Sequence, residues 1–509
     1  MTDAEITRAV AACRAALGRD PAEAERLALA HLDGLGENPE LRAVAATARL
    51  ARGDARGALA DFRLAAKWGG GGADFYYAMG VACREAGRAA EATSCWRRAL
   101  TLMPGHADAA VNATLAALQA AAWEEARRVA ADALAAGVAD PRLPLWLGHA
   151  LAKLHREAEA AVAYREAVGR APGDPEAWFA LALALRDTCA FAAARAALAR
   201  VLELAPEHAD AAYEAAQLDL MAGRWREGFS RFDARLRRRL PLLPAEMPGE
   251  PWDGAPRPGA TLLLQAEQGF GDTLQFLRFG FAAAQRVGRV VLRAHPPLLP
   301  LFADAALPWR TVPLDAPVAA DFHVPLLSLP RVLGLDAIAD TPAAYLPAEA
   351  QAAPNRVGVV WAGSAAHYND TKRSCPLAEF AALRQVAGIE FVHFQFGADA
   401  AAVRRLWPDL ADGTQGAADF RETARRLAAC ALVVCVDTAA AHLAGALGRP
   451  AWVLVPAAPD WRWGAAGEAT PWYPRARVWR QAQPGGWAEL LERVAAGLAA
   501  WRDNAAMES

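Results

Sequence analysis

The stretch that decides the fold of the carboxyl-terminal half is Val433–Pro456, which reads VVCVDTAAAHLAGALGRPAWVLVP. Two short apolar runs flank a helical pattern over Ala439–Leu447, and the first run ends at Asp437 and Thr438. Apolar runs of this length on either side of a helix are typical of a strand–turn–helix–strand unit in a parallel sheet. The stretch therefore predicts an α/β fold.

Asp437 and Thr438 lie at the predicted junction between the strand and the helix. Free backbone N–H groups and the helix dipole favour an anion such as a pyrophosphate at this point. The small side chains of Ala439 and Ala440 would let a ligand approach the backbone closely. The alternative is that Thr438 only caps the helix.

The composition excludes several classes of protein. The chain has 509 residues, of which 54% are hydrophobic and 22% are charged, so it is a globular rather than a disordered protein. Its net charge of −3 does not indicate a surface that binds nucleic acid. No apolar window is long enough for a membrane span, and the amino terminus lacks the pattern of a signal peptide. The seven cysteines are scattered without a CxxC pair, which favours free thiols in a reducing compartment. We therefore expect a cytoplasmic protein with no transmembrane segment and no nucleic-acid partner.

The first half of the chain repeats with a period of 34 residues. The units begin at Glu5, Pro39, Ala73, Ala107, Pro141, Pro175 and Ala209. The twentieth position is small in every unit: Ala24, Ala58, Ala92, Ala126, Ala160, Ala194 and Gly228. Gly80 and Gly148 hold the eighth position of two units, and the twenty-fourth position is often large: Phe62, Trp96, Tyr164, Leu198 and Phe232. Residues 1–240 thus resemble a tetratricopeptide repeat array, which implies an all-α superhelix whose groove binds a protein partner.

A proline-rich linker is predicted over residues 241–260. The stretch PLLPAEMPGEPWDGAPRPGA contains six prolines and no helical period, so it should be extended and stiff. From Thr261 onward short apolar runs alternate with helical windows. We expect two parallel α/β halves, residues 261–346 and residues 355–509, the second ending in a helix. The array and the α/β part should then be separate folding units.

Three motifs in this region resemble glycosyltransferase family 9, the heptosyltransferase-like enzymes, in the version fused to tetratricopeptide repeats. They are EQGFGDTLQFLRF (267–279), VVWAGSAAHYNDTKRSCPLAEF (359–380) and VDTAAAHLAGALGRPAWVL (436–454). The resemblance implies a GT-B fold, in which two Rossmann-like domains face each other across a cleft. It also implies a nucleotide-sugar donor held mainly by the second domain, inversion at the anomeric centre, and no metal or other cofactor.

The first motif carries the catalytic base that the resemblance implies. Gly269 and Gly271 form the turn on the acceptor side, and Asp272 follows them. Glycosyl transfer needs a base to take the proton of the acceptor hydroxyl, and a carboxylate at the edge of the cleft would serve. The alternative, which does not exclude the first, is that Asp272 caps the following helix.

The second motif carries the cations expected at the donor phosphates. The resemblance assigns a phosphate-binding role to Lys372, with Arg373 as the neighbouring candidate, since a cation would stabilise the leaving nucleoside diphosphate. Lysine is rare in this chain: the others are Lys67 and Lys153, in the repeats. Those two show that a lysine here can also be incidental.

The third motif supplies the donor-binding turn, Asp437, Thr438 and Ala439. Thr438 and backbone amides would face the diphosphate, and Asp437 the hydroxyls of the sugar or ribose. His442, one helical turn later, either lines the donor pocket or is a packed histidine.

Four further side chains belong to the expected cleft. Trp361 and Ser364 follow a predicted strand and are expected to contact the nucleotide. Trp461 and Trp463 form either a stacking wall for the base or sugar, or ordinary core.

The sequence thus favours a metal-independent glycosyltransferase with an acceptor recruited by the repeats. The carboxyl-terminal half contains no DxD, GxxxxGK, HExxH or GxSxG motif that would indicate another chemistry. The acceptor remains open between a protein, as in other repeat-bearing transferases, and a glycan, as in the heptosyltransferases. The rival hypothesis is a scaffold whose transferase half only binds.

Overall fold

The computed structural model describes residues 3–238, 243, 247–348, 350–367 and 369–508 of the chain. These residues divide into two compact units, Met1–Ala205 and Pro206–Ser509.

The first unit is all-helical, with antiparallel helices in consecutive pairs. Its described residues form α1 (Asp3–Leu17), α2 (Pro21–Leu35), α3 (Pro39–Ala51), α4 (Ala55–Lys67), α5 (Ala73–Glu85), α6 (Ala89–Leu102), α7 (Ala107–Gln119), α8 (Trp123–Ala135), α9 (Arg142–Lys153), α10 (Glu157–Arg170), α11 (Pro175–Asp187) and α12 (Phe191–Leu204). Most of these pairs begin at the residue that the 34-residue period predicts.

The two helices of each pair cross closely, which explains why small residues recur at the eighth and twentieth positions of the repeats. Ala58 and Ala126 are fully buried at the twentieth position. A Cβ at Gly80 would lie 2.4 Å from Nε1 of Trp96, and one at Gly148 would lie 2.3 Å from Cε1 of Tyr164. The glycine at position eight therefore makes room for the large ring at position twenty-four of the same unit.

The second unit opens with one more helical pair and then forms a parallel sheet. The helices are α13 (Ala209–Met221) and α14 (Trp225–Phe232), followed by a 3-10 turn, Asp233–Arg237. The strands are β1 (Glu250–Pro251), β2 (Arg257–Gln265), β3 (Val287–Ala294), β4 (Arg310–Pro313) and β5 (Phe322–Pro325). They pair in parallel in the order β1-β5-β2-β3-β4, with helices α15 (Phe270–Ala284), α16 (Leu299–Asp304) and α17 (Leu329–Leu333).

A second parallel sheet follows, in the order β11-β10-β9-β6-β7-β8. Its strands are β6 (Ala353–Val360), β7 (Glu390–His393), β8 (Ala411–Asp412), β9 (Cys430–Val436), β10 (Ala451–Val455) and β11 (Ala476–Arg480). The helices are α18 (Asp370–Arg373), α19 (Leu377–Phe380), α20 (Ala400–Leu406), α21 (Phe420–Ala428), α22 (Ala439–Ala446) and α23 (Trp487–Glu508). The carboxyl-terminal region is thus α/β with parallel sheets, as predicted.

The apolar strands were predictable from the sequence, whereas the two-residue edge strands were not. Ala451–Val455 is buried along its whole length and is the predicted strand. The edge strand β8 has only two residues, both exposed, so its sequence carries no apolar run. No helix among the described residues is long and apolar enough to cross a bilayer.

The boundary of the repeat array differs from the predicted one. The last helical pair, expected to end an array reaching residue 240, lies in the same compact unit as the α/β sheets. Its Phe229 packs edge-on against Phe276 of α15 and against Trp461. Apolar rings shared in this way tie the pair to the α/β region rather than to a separate folding unit.

The predicted linker is correspondingly shorter in the structure. Residues 241, 242 and 244–246 lie outside the described residues. Glu250 and Pro251 already pair with β5, and β2 begins at Arg257.

Candidate functional site

Strand order places the predicted donor residues where a parallel sheet binds ligands. In the second sheet β6 lies beside β9, and the chain runs outward from this pair in both directions. Ligands of open α/β sheets bind outside the carboxyl ends of the strands at such a reversal of strand order. The loop after β6 carries Lys372 and Arg373, and the turn after β9 carries Asp437 and Thr438.

The turns of the first and third motifs meet. Helix α15 packs against helix α22. A Cβ at Gly271 would lie 2.9 Å from Cδ2 of His442 and 3.4 Å from Cα of Ala439. Gly271 is therefore the point at which the first α/β half touches the amino end of α22, which brings Asp272 to the edge of the donor turn.

Asp272 is held by groups from both halves. The backbone N–H of Gly269 donates to Oδ2 at 3.0 Å, so the carboxylate does cap helix α15. Nη2 of Arg462, from the second half, donates to Oδ1. The Asp272 side chain remains 19% exposed, so the capping role leaves it accessible from solvent.

Arg462 lies at the centre of this buried polar network. Its Nε donates to Oε1 of Gln275 at 2.7 Å, and its Nη1 donates to Oδ1 of Asp460 at 2.9 Å. Burial would lower the pKa of Arg462, but the carboxylates of Asp460 and Asp272 outweigh it and raise that pKa. The guanidinium is thus charged and shared between two acids.

The donor turn leaves a hydroxyl without a partner. Thr438 precedes helix α22 in extended conformation, and its side chain does not cap the helix. Its Oγ1 is buried and has no hydrogen-bond partner among the described residues. The capping alternative therefore finds no support, and the buried hydroxyl at the helix amino end is unpartnered among the described residues.

Asp437 is buried beside the same turn. Burial, and next the charge of Asp460, raise the pKa of Asp437 to about 6. The backbone carbonyl of Asp437 accepts a hydrogen bond from Nη1 of Arg373 at 3.2 Å. Arg373 thereby joins the loop after β6 to the turn after β9.

The loop that carries the lysine is organised by short polar contacts. Oγ of Ser374 donates to Asp370 at 2.7 Å and accepts from the backbone N–H of Gly363 at 2.9 Å. Lys372 is half-buried in the short helix α18, and Ser364 is exposed. Both predicted residues thus lie on the loop that faces the carboxyl edge of the sheet.

Three aromatic residues expected near the donor are packed instead. Trp361 is 6% exposed, and its ring contacts Phe380 and His393 in the core beneath the sheet, so only its backbone lies at the strand end. Trp461 and Trp463 are buried as well, which favours the core interpretation over a stacking wall. Successive side chains of a strand point to opposite faces of the sheet. The sequence pattern does not determine whether a side chain near the end of a strand will face the core or the ligand.

His442 is also packed. Its Nδ1 lies 3.0 Å from Oη of Tyr473, and its ring stacks on Trp463 with centroids 5.6 Å apart. Burial, followed by the charges of Arg462 and Arg278, lowers its pKa well below the usual value. This neutral, enclosed histidine supports the contact between α15 and α22 rather than lining an open pocket.

A small polar cavity lies beside the same sheet edge, at the ends of β7 and β8. It measures about 190 Å³, and its polar lining comes from His393, Gln395, Arg404, Asp412 and Thr414. Nδ1 of the buried His393 has no hydrogen-bond partner among the described residues. Burial lowers the pKa of this histidine, so its neutral ring presents an unpaired nitrogen.

No sequence motif pointed to Arg462 or His295, two further residues beside Asp272. Arg462 stands between the two tryptophans of PDWRW, and arginine supplies nearly all basic residues of this chain. His295 follows β3, and its pKa is lowered by burial and partly restored by the charge of Asp272. Only the tertiary fold brings these groups to the same carboxylate.

The close approach at Gly271 gives a direct prediction for stability. Gly271→Ala should lower the unfolding free energy by about 1–3 kcal/mol, because the new methyl group meets the His442 ring and overpacks the α15–α22 contact. Thermal or urea unfolding measures the change. Gly259→Ala, which has open space around its Cβ, is the matched control, and an equal loss in both variants would contradict the contact.

The part of the site that belongs to the second sheet matches a known family. Residues 350–484 match the sequence profile of Glycosyltransferase family 9 (heptosyltransferase). Protein FlbA of Caulobacter vibrioides is 26% identical over 395 residues, which cover 69% of this chain and 59% of FlbA. The chain thus spans less than two thirds of the length of FlbA.

Solved structures match the repeats. YrrB, described as a TPR protein with an unusual peptide-binding site, is 25% identical over 32% of this chain and 85% of its own, with a TM-score of 0.31. MamA from Desulfovibrio magneticus RS-1 is 22% identical over 34% of this chain and 98% of its own, with a TM-score of 0.30. Because both scores are low, the repeat assignment rests on the 34-residue period and the helix bounds. The carboxyl-terminal part of this chain therefore carries a glycosyltransferase family 9 domain, preceded by helical repeats of the tetratricopeptide type, as the motifs and the period predicted.

Proposed function

We propose that the chain transfers a sugar from a nucleotide-sugar donor to an acceptor that the repeats recruit, with inversion and without a metal. The observation that carries the proposal is the meeting of two turns, one bearing Asp272 and the other Asp437 and Thr438, the second of which lies in the region that matches a glycosyltransferase family. We further propose that the two α/β halves correspond to the two domains of a GT-B fold.

The order of features along the second sheet suggests how the donor lies. The cavity at β7 and β8 comes first, the loop with Lys372 follows next to β6, and the turn with Thr438 comes last, next to β9. The cavity is smaller than pockets that enclose a whole ligand, so it would take only the nucleoside end. The unpaired Nδ1 of His393 and the carboxylate of Asp412 offer hydrogen bonds to a base or ribose.

The diphosphate would then lie between the loop and the turn. Free N–H groups at the start of α22 and the unpartnered hydroxyl of Thr438 suit an anion. Lys372 and Arg373 supply positive charge from the neighbouring loop. These groups would stabilise the charge that develops on the leaving nucleoside diphosphate, which is the work a divalent cation does in other transferases.

Asp272 would act as the general base at the other end of the donor. Its carboxylate takes the proton of the acceptor hydroxyl while the oxygen attacks the anomeric carbon, and the bond to the diphosphate breaks on the opposite face. Direct displacement of this kind inverts the anomeric centre. The partly exposed Asp272 side chain is consistent with access of the acceptor from solvent.

The acceptor remains the least determined part of the proposal. The repeats form stacked helix pairs, a construction that binds proteins and peptides in other arrays. We therefore propose that the array binds the acceptor or a protein that carries it. Transfer should be measured with protein acceptors and with glycan acceptors in parallel.

A donor panel tests this function. We expect the purified protein to bind one nucleotide sugar in preference to the rest and to hydrolyse or transfer it with an excess of EDTA present. Lys372→Ala should weaken donor binding by about ten- to a hundredfold, the value of a charged hydrogen bond to phosphate. Lys153→Ala, whose lysine lies against Trp123 in the repeats, is the control.

Calorimetry gives the affinity, and release of nucleoside diphosphate gives the turnover. Binding without turnover for every donor and acceptor would favour the inactive scaffold. Activity that EDTA abolishes and manganese or magnesium restores would contradict the metal-free mechanism.

A further inference from the structure

We propose that Arg462 is a positioning residue for Asp272, and that the last helical pair holds the segment that carries it. This inference rests on the proposed function, because it gives Arg462 a task in the step that Asp272 performs. It assigns to the helices α13 and α14 a role within the transferase site, beyond recruitment of an acceptor.

Arg462 joins the two α/β halves at the reacting carboxylate. It belongs to the segment between β10 and β11, whereas its partners Asp272 and Gln275 both lie on α15 of the first half. The bond from Gly269 fixes one carboxylate oxygen, and the guanidinium fixes the other. The carboxylate plane is therefore set by two donors, one from each half.

The guanidinium is itself held in place. Asp460 accepts from Nη1 and from the backbone N–H of Arg462, while Gln275 accepts from Nε. Arg462 is buried, and its plane lies over the ring of Trp461 with 4.5 Å between Cζ and the centroid. A planar, rigid donor of this kind orients a carboxylate better than a lysine would.

The last helical pair supports the same segment through aromatic packing. Trp461, next to Arg462, packs edge-on against Phe229 and at a steep angle against Phe232. Trp472, at the far end of the segment, packs edge-on against Trp225. The helix α14 therefore contacts the segment on both sides of the arginine.

Three charged or titratable groups act on Asp272 from the elements around it. Arg462 comes from the segment after β10, His295 from the end of β3, and His367 from the loop after β6. Arg462 contacts the carboxylate directly, through Nη2 and Oδ1.

Another arginine of the same region provides a matched control. Arg480 holds the segment by donating to the backbone carbonyls of Gly464 and Gly467, and its described bonds do not include Asp272. Loss of Arg480 should loosen the segment without removing the charge beside the base. The two arginines thus separate support of the segment from orientation of the carboxylate.

The test compares Arg462→Gln, Arg462→Lys and Arg480→Gln with the unchanged chain, each checked for folding by circular dichroism. Arg462→Gln should lower kcat by about 10- to 100-fold, as expected for a misplaced catalytic group, and leave donor affinity unchanged. Arg462→Lys should lower kcat less than Arg462→Gln does, and Arg480→Gln should keep kcat close to that of the unchanged chain.

A double-mutant comparison decides whether the effect runs through Asp272. In the Asp272→Asn background, Arg462→Gln should lower the residual rate less than twofold, because the group it orients is gone. Independent, multiplicative effects would overturn the proposal, as would a weakened donor affinity, which would make Arg462 a donor ligand.

The contact can be tested without any turnover. Urea unfolding of the unchanged chain, of Asp272→Asn, of Arg462→Gln and of the double variant should show energetic coupling between positions 272 and 462, because the two side chains are in contact. Absence of coupling would refute the contact and the proposal with it. If the unchanged chain is inactive with every donor but the coupling is observed, the result would contradict the proposed function and not the contact between the two side chains.

Discussion

Asp272→Asn is expected to lower the rate of sugar transfer by at least about 10²-fold, the lower range for a general base. The amide keeps the shape of the carboxylate, but its single oxygen can accept from Gly269 or from Arg462 and not from both. Some stability should therefore be lost, whereas the overall fold and donor affinity should be preserved. Steady-state kinetics with the preferred donor, alongside donor binding by calorimetry, measures the two effects separately.

A second capping aspartate gives the control for this substitution. Asp419 caps α21 through the backbone N–H groups of Arg421 and Glu422. Asp419→Asn should leave transfer within a factor of about two, because this acid only caps a surface helix. Turnover of Asp272→Asn close to that of the unchanged chain would remove Asp272 from the mechanism.

A chain that begins at Pro206 is expected to fold, whereas one that begins at Pro251 is expected not to. The shorter chain loses α13, α14 and the following turn, so Trp461, Trp472 and Phe276 lose the rings that cover them. Exposing a large apolar side chain costs about 1.5–3 kcal/mol, so exposing these three costs about 4.5–9 kcal/mol, which is comparable to the stability of a typical domain.

The same cut also breaks a buried ion pair. Both side chains of Arg235 and Glu267 are fully buried, and the guanidinium donates to Glu267 at 2.7 and 2.9 Å. Leaving one member of a buried pair without its partner costs about 3–5 kcal/mol. Glu267 lies just before the turn that carries Asp272, so its loss of support would disturb that turn.

Cooperative thermal unfolding and gel filtration of the two shortened chains check this prediction. The chain from Pro206 should melt in one transition and bind the donor, but should lose most transfer to a macromolecular acceptor because the other repeats are absent. A soluble, cooperatively folded chain from Pro251 would contradict the structural boundary. Unchanged acceptor transfer by the chain from Pro206 would show that the first six helical pairs do not recruit it.

The sequence by itself determined the two kinds of architecture. The 34-residue period fixed the helical pairs because Gly80 and Trp96, or Gly148 and Tyr164, must fit against each other within one unit. The buried run Ala451–Val455 and the turn at Asp437 predicted a parallel sheet with a ligand edge. Both are local patterns, in which the interacting residues lie close together along the chain.

Only the tertiary structure decided which of the candidate side chains face a ligand. Thr438 and His442 are one helical turn apart, yet the hydroxyl is unpartnered at the helix end and the imidazole is enclosed by Tyr473 and Trp463. A helical pattern gives the spacing of two residues, but the surfaces that cover each face come from distant parts of the chain.

The contacts of Asp272 with Arg462, and of Glu267 with Arg235, belong wholly to the tertiary structure. Each pair joins residues far apart in sequence, and neither arginine differs in local pattern from the many others in this chain. The motifs in the sequence could therefore nominate a candidate base and a candidate donor turn. The sequence could not reveal that the last helical pair and the segment after β10 support these residues, because packing between distant parts of the chain produces no periodic pattern in the sequence.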